Sequence, residues 1–451
     1  MDILSIILAA GKGTRMKSEI PKVLHPLGGK SMLKHVFNEV ASMNTEIVTV
    51  VGYKAEKVKN SIENGKIKWV KQKEQLGTGH AVLQAEKYIK AHKGPVLVLY
   101  GDTPLLTQKT LTKMIDYFKT NKAGAAVLTA FLDNPSGYGR IIRNKDEYIN
   151  KIVEESDATS EEKNIKEINT GVYCFDSDLL AQGLDSLECN NAQGEYYLTD
   201  VIEYINQKEK GVIPVPVEDN REIIGINTRK DLAEAEKIYR KKINEIHLNN
   251  GVTIIDPDTT FIDGDVEIGQ DTIIYPFTCI EGDTRIGKNT VIGPRCRLVN
   301  SVIGEKVELK SSCNIWNTTI KNKCEIGPFA YIRPGTILEE GVKVGDFVEL
   351  KKAKIDKNTK VPHLSYVGDA EIGKNTNIGA GTVFANYDGK KKHQTKVGDS
   401  VFIGSNTTLI APLKVGDRGK TGAGAVVTKD VSNDTTVIGV PARVYKNKQE
   451  E

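Results

Sequence analysis

The chain is short of the residues that would place it in several broad classes. Its 451 residues include only six cysteines (Cys174, Cys189, Cys279, Cys296, Cys313 and Cys324), scattered with no CxxC and no paired Cys/His spacing. That excludes a disulfide scaffold or a structural zinc site and reads as reduced thiols serving as small apolar side chains. Aromatic residues make up 6% of the chain. No apolar run reaches the ~18 residues of a membrane span. The opening MDILSIILAAGKG carries an acid and no basic stretch, so it does not read as a secretory signal. Charge of one sign is not in excess either. Lys+Arg 62 against Asp+Glu 59 leaves a formal +3, too balanced for nucleic-acid binding driven by bulk charge. A cytoplasmic protein with neither membrane nor nucleic acid as partner is expected.

What is present divides in two. Up to about residue 227, apolar runs without polar alternation (Ile3-Leu8, Ile47-Gly52, Val96-Tyr100, Ala125-Phe131) alternate with helical segments such as Ser31-Met43 and Thr107-Lys119. Runs of this kind suit a parallel sheet buried on both faces, so the pattern predicts a doubly wound α/β domain. Ligands in such sheets sit at the carboxyl ends of the strands.

From about residue 252 aliphatic residues recur every six: Ile262, Ile268, Ile274, Ile280, Ile286, Ile292 and Leu298, then after a one-residue slip Ile303, Leu309 and Ile315, and after another Ile320, Ile326, Ile332, Leu338, Val344 and Leu350. The pattern returns at Ile372, Ile378 and Phe384, then at Val397, Ile403, Leu409 and Val415. A period of six fits neither helix nor simple strand. It predicts a triangular β-solenoid with aliphatics stacked inward and small residues or Gly at the corners. Between the halves, Thr228-Arg-Lys-Asp231 reads as a capping box opening a helix to about 247. The expected domains are 1–228, a linker helix over 229–250, and 251–451.

In the first half the loop Leu8-Ala-Ala-Gly11-Lys-Gly13-Thr-Arg15, with Pro21-Lys22 close behind, has small residues for close backbone approach and two cations for a triphosphate. Glu74-Gln75-Leu76-Gly77-Thr78-Gly79-His80 is a turn that can read a base edge, or simply a loop entering a helix. Gly101-Asp102 ends a central strand, where an acid suits a hard cation such as Mg²⁺, or caps the next turn. In the second half two polar stretches read as interruptions of the repeat: Val361-Pro362-His363-Leu364-Ser365-Tyr366, and 384–396, which must project as a loop. His363 is the natural general base, and His393 in the loop reads as inert.

The segments LAAGKGTRM, PKVLH, EQLGTGHA, YGD, GYGR, IVEE, EINTG and NAQGEYYLTD resemble the sugar-1-phosphate nucleotidyltransferases. Among these the chain is most similar to the bacterial bifunctional N-acetylglucosamine-1-phosphate uridyltransferase / glucosamine-1-phosphate acetyltransferase family, over nearly its whole length. The resemblance implies small-molecule substrates, with UTP and acetyl-CoA as co-substrates, and an enzyme making UDP-N-acetylglucosamine, a cell-wall precursor. It implies that Leu8, Ala9, Ala10 and Gly11 line the nucleotide, with Gln72, Gly77 and Thr78 around uracil. Lys22 would hold phosphate and Arg15 the leaving pyrophosphate, with Tyr100, Gly101 and Asp102 beside the phosphates. Gly139, Glu154 and Asn169 would hold the sugar, and Asp102 and Asn227 would bind Mg²⁺.

For the second half the same resemblance implies a left-handed parallel β-helix of hexapeptide repeats, assembled as a homotrimer with sites between subunits. Arg333 and Lys351 would grip the sugar phosphate, Tyr366 and Asn377 the sugar, and His363 would act as base. Ala380, Asn386, Tyr387, Ser405 and Ala423 would contact acetyl-CoA. Where the family places an Arg near position 440, this chain reads Ile438-Gly-Val440-Pro-Ala-Arg443. Arg443 is the nearest replacement for a CoA phosphate contact. The runner-up function is another sugar-1-phosphate nucleotidyltransferase with a β-helix acyltransferase or regulatory domain.

Overall fold

The structure, a computed structural model, describes residues 3–62 and 67–447. The chain divides into two compact units, Met1–Tyr239 and Arg240–Glu451. The end of the C-terminal arm beyond 447 lies outside the described residues.

The first unit is built on a nine-stranded sheet. Its main strands are β1 (Leu4–Ala9), β2 (Glu46–Val51), β3 (Ile67–Lys71), β4 (Pro95–Tyr100), β5 (Ala125–Phe131), β6 (Glu167–Asp176) and β7 (Val212–Pro216). They lie in the order β7-β5-β6-β4-β1-β2-β3. β1 is buried along its whole length, and its residues divide between the two faces. Leu4, Ile6 and Leu8 join one core and Ile7 and Ala9 the other, as the two-residue period of a strand requires. The sheet is not wholly parallel as expected. β6 runs antiparallel to both β4 and β5. Nine of its ten residues are buried, the polar Glu167, Asn169 and Thr170 among them, and burial on both faces leaves no alternation to mark its direction.

The helix Arg229–Asn249 begins as the capping box requires. Asp231 accepts from the Thr228 N–H at 2.8 Å, and the Asp231 N–H donates to Thr228 Oγ1 at 3.2 Å.

The second unit is a parallel β-helix. Each short strand pairs with the strand one coil on: Ile262 with Ile280, Ile280 with Leu298, Leu298 with Ile315, Ile315 with Ile332. Coils of 18 and of 17 residues coexist. The inward aliphatics are buried throughout, save the half-buried Ile268. The first polar stretch is not an interruption. Val361 is fully buried and stacks between Val344 and the coil of Ile378, and Val367 stacks on Leu350. His363 therefore sits at the end of an in-register strand, Lys360–His363. The second stretch does project: Ala370 pairs with Thr395, and the spacing there rises to 25 residues.

The corners also differ from expectation. Left-handed backbone there is adopted mostly by Asn, Asp, Lys and Arg, with Phe277, Phe329, Phe347 and Leu364 at one corner. The glycines after the aliphatics serve close approach instead. A Cβ on Gly379 would stand 2.5 Å from the Ser405 nitrogen, and one on Gly404 2.6 Å from the Thr421 oxygen.

Two candidate active sites

The carboxyl ends of β1 and β4 open into a cleft of about 330 Å³ lined by Leu8, Ala9, Ala10 and Gly11. Gly13, in left-handed backbone, packs directly on the Lys22 side chain. This brings the two halves of the sequence motif together. Arg15 Nη2 donates to Asn227 Oδ1 at 2.8 Å and Lys22 Nζ to the same oxygen at 2.6 Å. Lys22 also pairs with Asp102. Asn227 is held in reach because the Ile226 N–H donates to the Asp102 carbonyl at 2.9 Å. Two hard oxygen donors, one carboxylate and one amide, thus converge on a single cation. That donor set suits Mg²⁺, which takes one or two protein oxygens and completes its shell with water and phosphate. Among the described residues no cluster of three or more His, Cys, Asp or Glu is arranged for a metal.

On the opposite wall Gln72 is buried, and its amide donates to the Gly77 carbonyl at 3.2 Å. Gly77 has φ 108°, and a Cβ there would meet the Tyr196 carbonyl at 2.6 Å, so the turn admits no side chain. Thr78 and Tyr100 complete the lining, with Gln75 and Glu195. Glu195 is far from the other wall residues in sequence; it belongs to the NAQGEYYLTD segment, which carries the resemblance but has no expected place in the site. Gly101 does not line the cleft. Its N–H donates to the Leu8 carbonyl at 2.9 Å and ties β4 to β1 from behind.

The expected sugar residues form a second group. Gly139 stands against Glu154 and Asn169. Asn169 donates to the Tyr173 hydroxyl at 2.7 Å and accepts from the Gly171 N–H at 3.1 Å. Tyr100 joins this group to the cleft, its ring seated on Gly171. Burial, then the charges of Glu154 and Asp102, push the Tyr100 phenol up, so it stays a neutral donor. Burial, then the neighbouring Asp157 and Asp200, likewise raise the Glu154 carboxyl.

In the β-helix, one corner carries a column of expected residues. His363 and Asp346 occupy neighbouring strands in register. The His363 carbonyl accepts from the Gly381 N–H, beside Ala380. The Ala380 carbonyl accepts from the Asn406 N–H, beside Ser405. The Ser405 carbonyl accepts from the Gly424 N–H, beside Ala423. His363, Ala380, Ser405 and Ala423 therefore follow one another along the axis. Asp346 was not foreseen from the sequence. Its carboxylate binds His363 Nδ1, and that bond holds the Asp346 carboxyl below its usual range. The signal was its place one 17-residue coil before the histidine.

The adjoining sheet carries Arg333, Lys351 and Tyr366. Glu349 pairs in register with Tyr366 and Lys351 with Gly368. Arg333 Nη1 donates to Glu349 at 2.6 Å. From the projecting loop, the buried Asn386 donates to Asp369 at 2.5 Å and to the Tyr366 hydroxyl at 3.4 Å. Lys392 of the same loop lies beside Lys351, and the hydrogen-bonding approach of that side chain, then its charge, lowers the Lys392 pKa. Two ammonium groups in contact make a place for an anion, and Lys392 was also unforeseen. Tyr387 is exposed, its hydroxyl donating to the Gly389 carbonyl at 2.7 Å. His393 binds Asp388 at 2.6 Å within the loop. Asn377 is not brought to this group: it lies on the other ladder, paired with Lys360 and Phe402. Arg443 is exposed on the last strand, where it pairs with Ile438, and its guanidinium donates to the Ala442 carbonyl at 3.3 Å.

A nucleotide-sized cleft at the switch of an α/β sheet, in one chain with a hexapeptide β-helix bearing a His–Asp pair, defines a two-headed transferase. Family models agree by segment. Residues 5–140 match a MobA-like NTP transferase domain. Residues 258–363 match a GMPPB C-terminal domain, and 394–429 a hexapeptide repeat of succinyl-transferase. A protein of Acetivibrio thermocellus named bifunctional protein GlmU is 51% identical over 98% of this chain and 96% of its own. One of Clostridium kluyveri with the same name is 48% identical over 98% of this chain and 97% of its own. The chain belongs to the bifunctional GlmU family. Among solved structures, a UDP-glucose pyrophosphorylase complexed with UDP-glucose aligns with 54% of this chain and 100% of that one, at 22% identity and a TM-score of 0.43.

Proposed function

We propose that the β-helix site transfers an acetyl group from acetyl-CoA to the amine of glucosamine-1-phosphate. The α/β site then joins the product to UMP from UTP, giving UDP-N-acetylglucosamine and pyrophosphate. The observation that carries this reading is that each unit holds its own set of polar side chains fitted to one of these reactions.

In the α/β site a phosphate oxygen of N-acetylglucosamine-1-phosphate attacks the α-phosphorus of UTP, and the bond to the leaving pyrophosphate breaks. The nucleophile is already an anion at neutral pH, so the site needs placement and positive charge rather than a base. Lys22 and Arg15 supply that charge. Gln72, the bare backbone at Gly77 and Thr78 hold the uracil, and Gly139, Glu154 and Asn169 hold the sugar. Asp102 and Asn227 would hold Mg²⁺, which supplies further neutralisation of the phosphates.

In the β-helix site Asp346 accepts from His363 Nδ1 and leaves Nε2 free to take a proton. The substrate amine loses its proton to that nitrogen as it attacks the thioester carbonyl, and CoA leaves as the thiol. Arg333, Lys351 and Lys392 neutralise the sugar phosphate, and Tyr366 and Asn377 hold the sugar. The column Ala380, Ser405 and Ala423, with Asn386 and Tyr387, follows the CoA arm. Arg443 replaces the family arginine toward a CoA phosphate.

Asn377 lies on a different ladder from Arg333 and Lys351. A homotrimer in which neighbouring chains complete each acetyl-transfer site accounts for this division. Such an enzyme works in the cytoplasm, where its co-substrates are found. Light scattering should give about three times the 49.6 kDa chain mass. A fully active monomer would overturn the shared site. The function is tested by incubating the pure protein with glucosamine-1-phosphate, acetyl-CoA, UTP and Mg²⁺, following free thiol and pyrophosphate separately. Thiol release without pyrophosphate, or pyrophosphate only with dTTP or another sugar phosphate, would refute the reading.

A further inference from the structure

Residues 191–198 form a strap fastened on two sides. On one side it holds the base-reading turn. The Tyr196 N–H donates to the Leu76 carbonyl at 2.9 Å and the Gly79 N–H to the Tyr196 carbonyl at 2.8 Å. The Leu198 N–H donates to Thr78 Oγ1 at 3.1 Å. Asn191 closes the strap on itself, its Oδ1 accepting from the Glu195 N–H at 3.2 Å. Glu195, between these fastenings, lines the nucleotide cleft.

On the other side the strap is held by one carboxylate. Asp157 Oδ1 accepts from the Ala192 N–H at 3.0 Å, and Oδ2 from the Tyr197 hydroxyl at 3.4 Å and the Ser156 hydroxyl at 3.0 Å. The Asp157 N–H donates to the carbonyl of Glu154 at 3.0 Å. Asp157 thus joins the loop carrying a sugar residue to the strap that grips the uracil turn.

We infer that Asp157 is a positioning residue for nucleotidyl transfer, fixing the Glu154 loop against the 76–79 turn so that sugar phosphate and nucleotide meet in register. The inference rests on the uridyl-transfer reading above. Asp157 acts through backbone and hydroxyl partners rather than on a reacting atom. Its loss should therefore weaken the capture of both substrates more than it slows the chemical step. Hydrogen bonds to a charged acceptor carry enough free energy for effects of about three- to tenfold even when partly exposed.

The test uses the full chain with Asp157→Ala and Asp157→Asn. Steady-state pyrophosphate release is measured against UTP and N-acetylglucosamine-1-phosphate, with amide hydrogen exchange over 76–79 and 191–198. For Asp157→Ala the KM for both substrates should rise about three- to tenfold with a smaller change in kcat, and the amides of both segments should exchange faster. Asp157→Asn should recover part of the loss, because its amide oxygen still accepts from Ala192. Acetyl transfer by the same samples should match the parent and report a folded chain. KM values within about twofold of the parent would overturn the inference. So would a fall in kcat alone, or faster exchange spread evenly over the α/β unit. A parent that releases no pyrophosphate would instead refute the uridyl-transfer reading, and the exchange measurement would still decide whether Asp157 holds the two segments.

Discussion

Asp346 and His363 face each other across one coil of the β-helix, carboxylate against imidazole, on parallel strands that pair in register. The rigidity of that ladder fixes the ring orientation, because the two side chains spring from backbones hydrogen-bonded to one another. An aspartate on the far side of a flexible loop would not hold the tautomer so firmly.

His363→Ala should therefore lower acetyl transfer by roughly 10²–10⁴ and leave pyrophosphate release from UTP and N-acetylglucosamine-1-phosphate intact. Asp346→Asn should slow the same reaction less, since the base remains but its tautomer is no longer fixed. His393→Ala, whose partner is Asp388 within the loop, serves as the control and should act within a factor of a few of the parent. Thiol release decides the matter. Near-parent rates for His363→Ala would show that another group takes the proton.

Asp102→Ala removes one of the two oxygens that share the Lys22 ammonium. Pyrophosphate release should fall to background while acetyl transfer continues unchanged. Equal loss of both activities in a folded sample would mean that the two sites are not independent.

Asp200, half-buried and beside Glu203 and Asp157, has its carboxyl pushed up to about 6, first by desolvation and then by those charges. The sign follows from linkage. The folded state holds this proton more tightly than the unfolded one, so the group costs stability as pH rises from about 4 through about 6. A shift of this size corresponds to ~3 kcal/mol undiscounted, and partial exposure reduces it to about 1 kcal/mol. Asp200→Asn should accordingly raise the melting temperature of the α/β unit at pH 7.5 and have little effect at pH 4. A stabilisation that is the same at both pH values would contradict this account.

A Cβ added to Gly345 would overlap the carbonyl oxygen of Pro362 on the next coil. Gly345→Ala must push apart the two strands that carry Asp346 and His363. It should lower the melting temperature of the β-helix unit and depress acetyl transfer together, at a cost of about 1–3 kcal/mol. An alanine variant with parent stability would mean that the coils separate more easily than their ladder implies.

Much of this was legible in the amino-acid order. The inward aliphatics from Ile262 to Val415 are the ones that stack, because a six-residue period has few structural explanations. The loop of Gly11, Arg15 and Lys22 does come together with Asp102 and Asn227 at one cleft. Local pattern could not reveal the direction of β6, since burial on both faces leaves no alternation to mark it. Val361 was hidden among Pro362, His363 and Ser365, whose polarity looked like a break in a coil that in fact continues. Asp346 and Lys392 reach their partners only through the fold, so nothing nearby in sequence singles them out, and Glu195, inside the NAQGEYYLTD segment, gains its place only when that segment folds onto the cleft.

The coexistence of 17- and 18-residue coils has a wider consequence. In an ordinary sheet a single inserted residue turns every side chain after it to the wrong face. Here the corner between Leu298 and Ile303, with its counterparts on later coils, takes up the one-residue difference, and the aliphatic stack resumes beyond it. The architecture is forgiving of small changes in length at that corner, and the 25-residue spacing near Asn386, at the same corner, is the same allowance drawn out further. The surplus there carries Asn386, Tyr387 and Lys392. An insertion that a flat sheet would reject becomes, on a spiral, a free limb on which new chemistry can be hung without disturbing the spine.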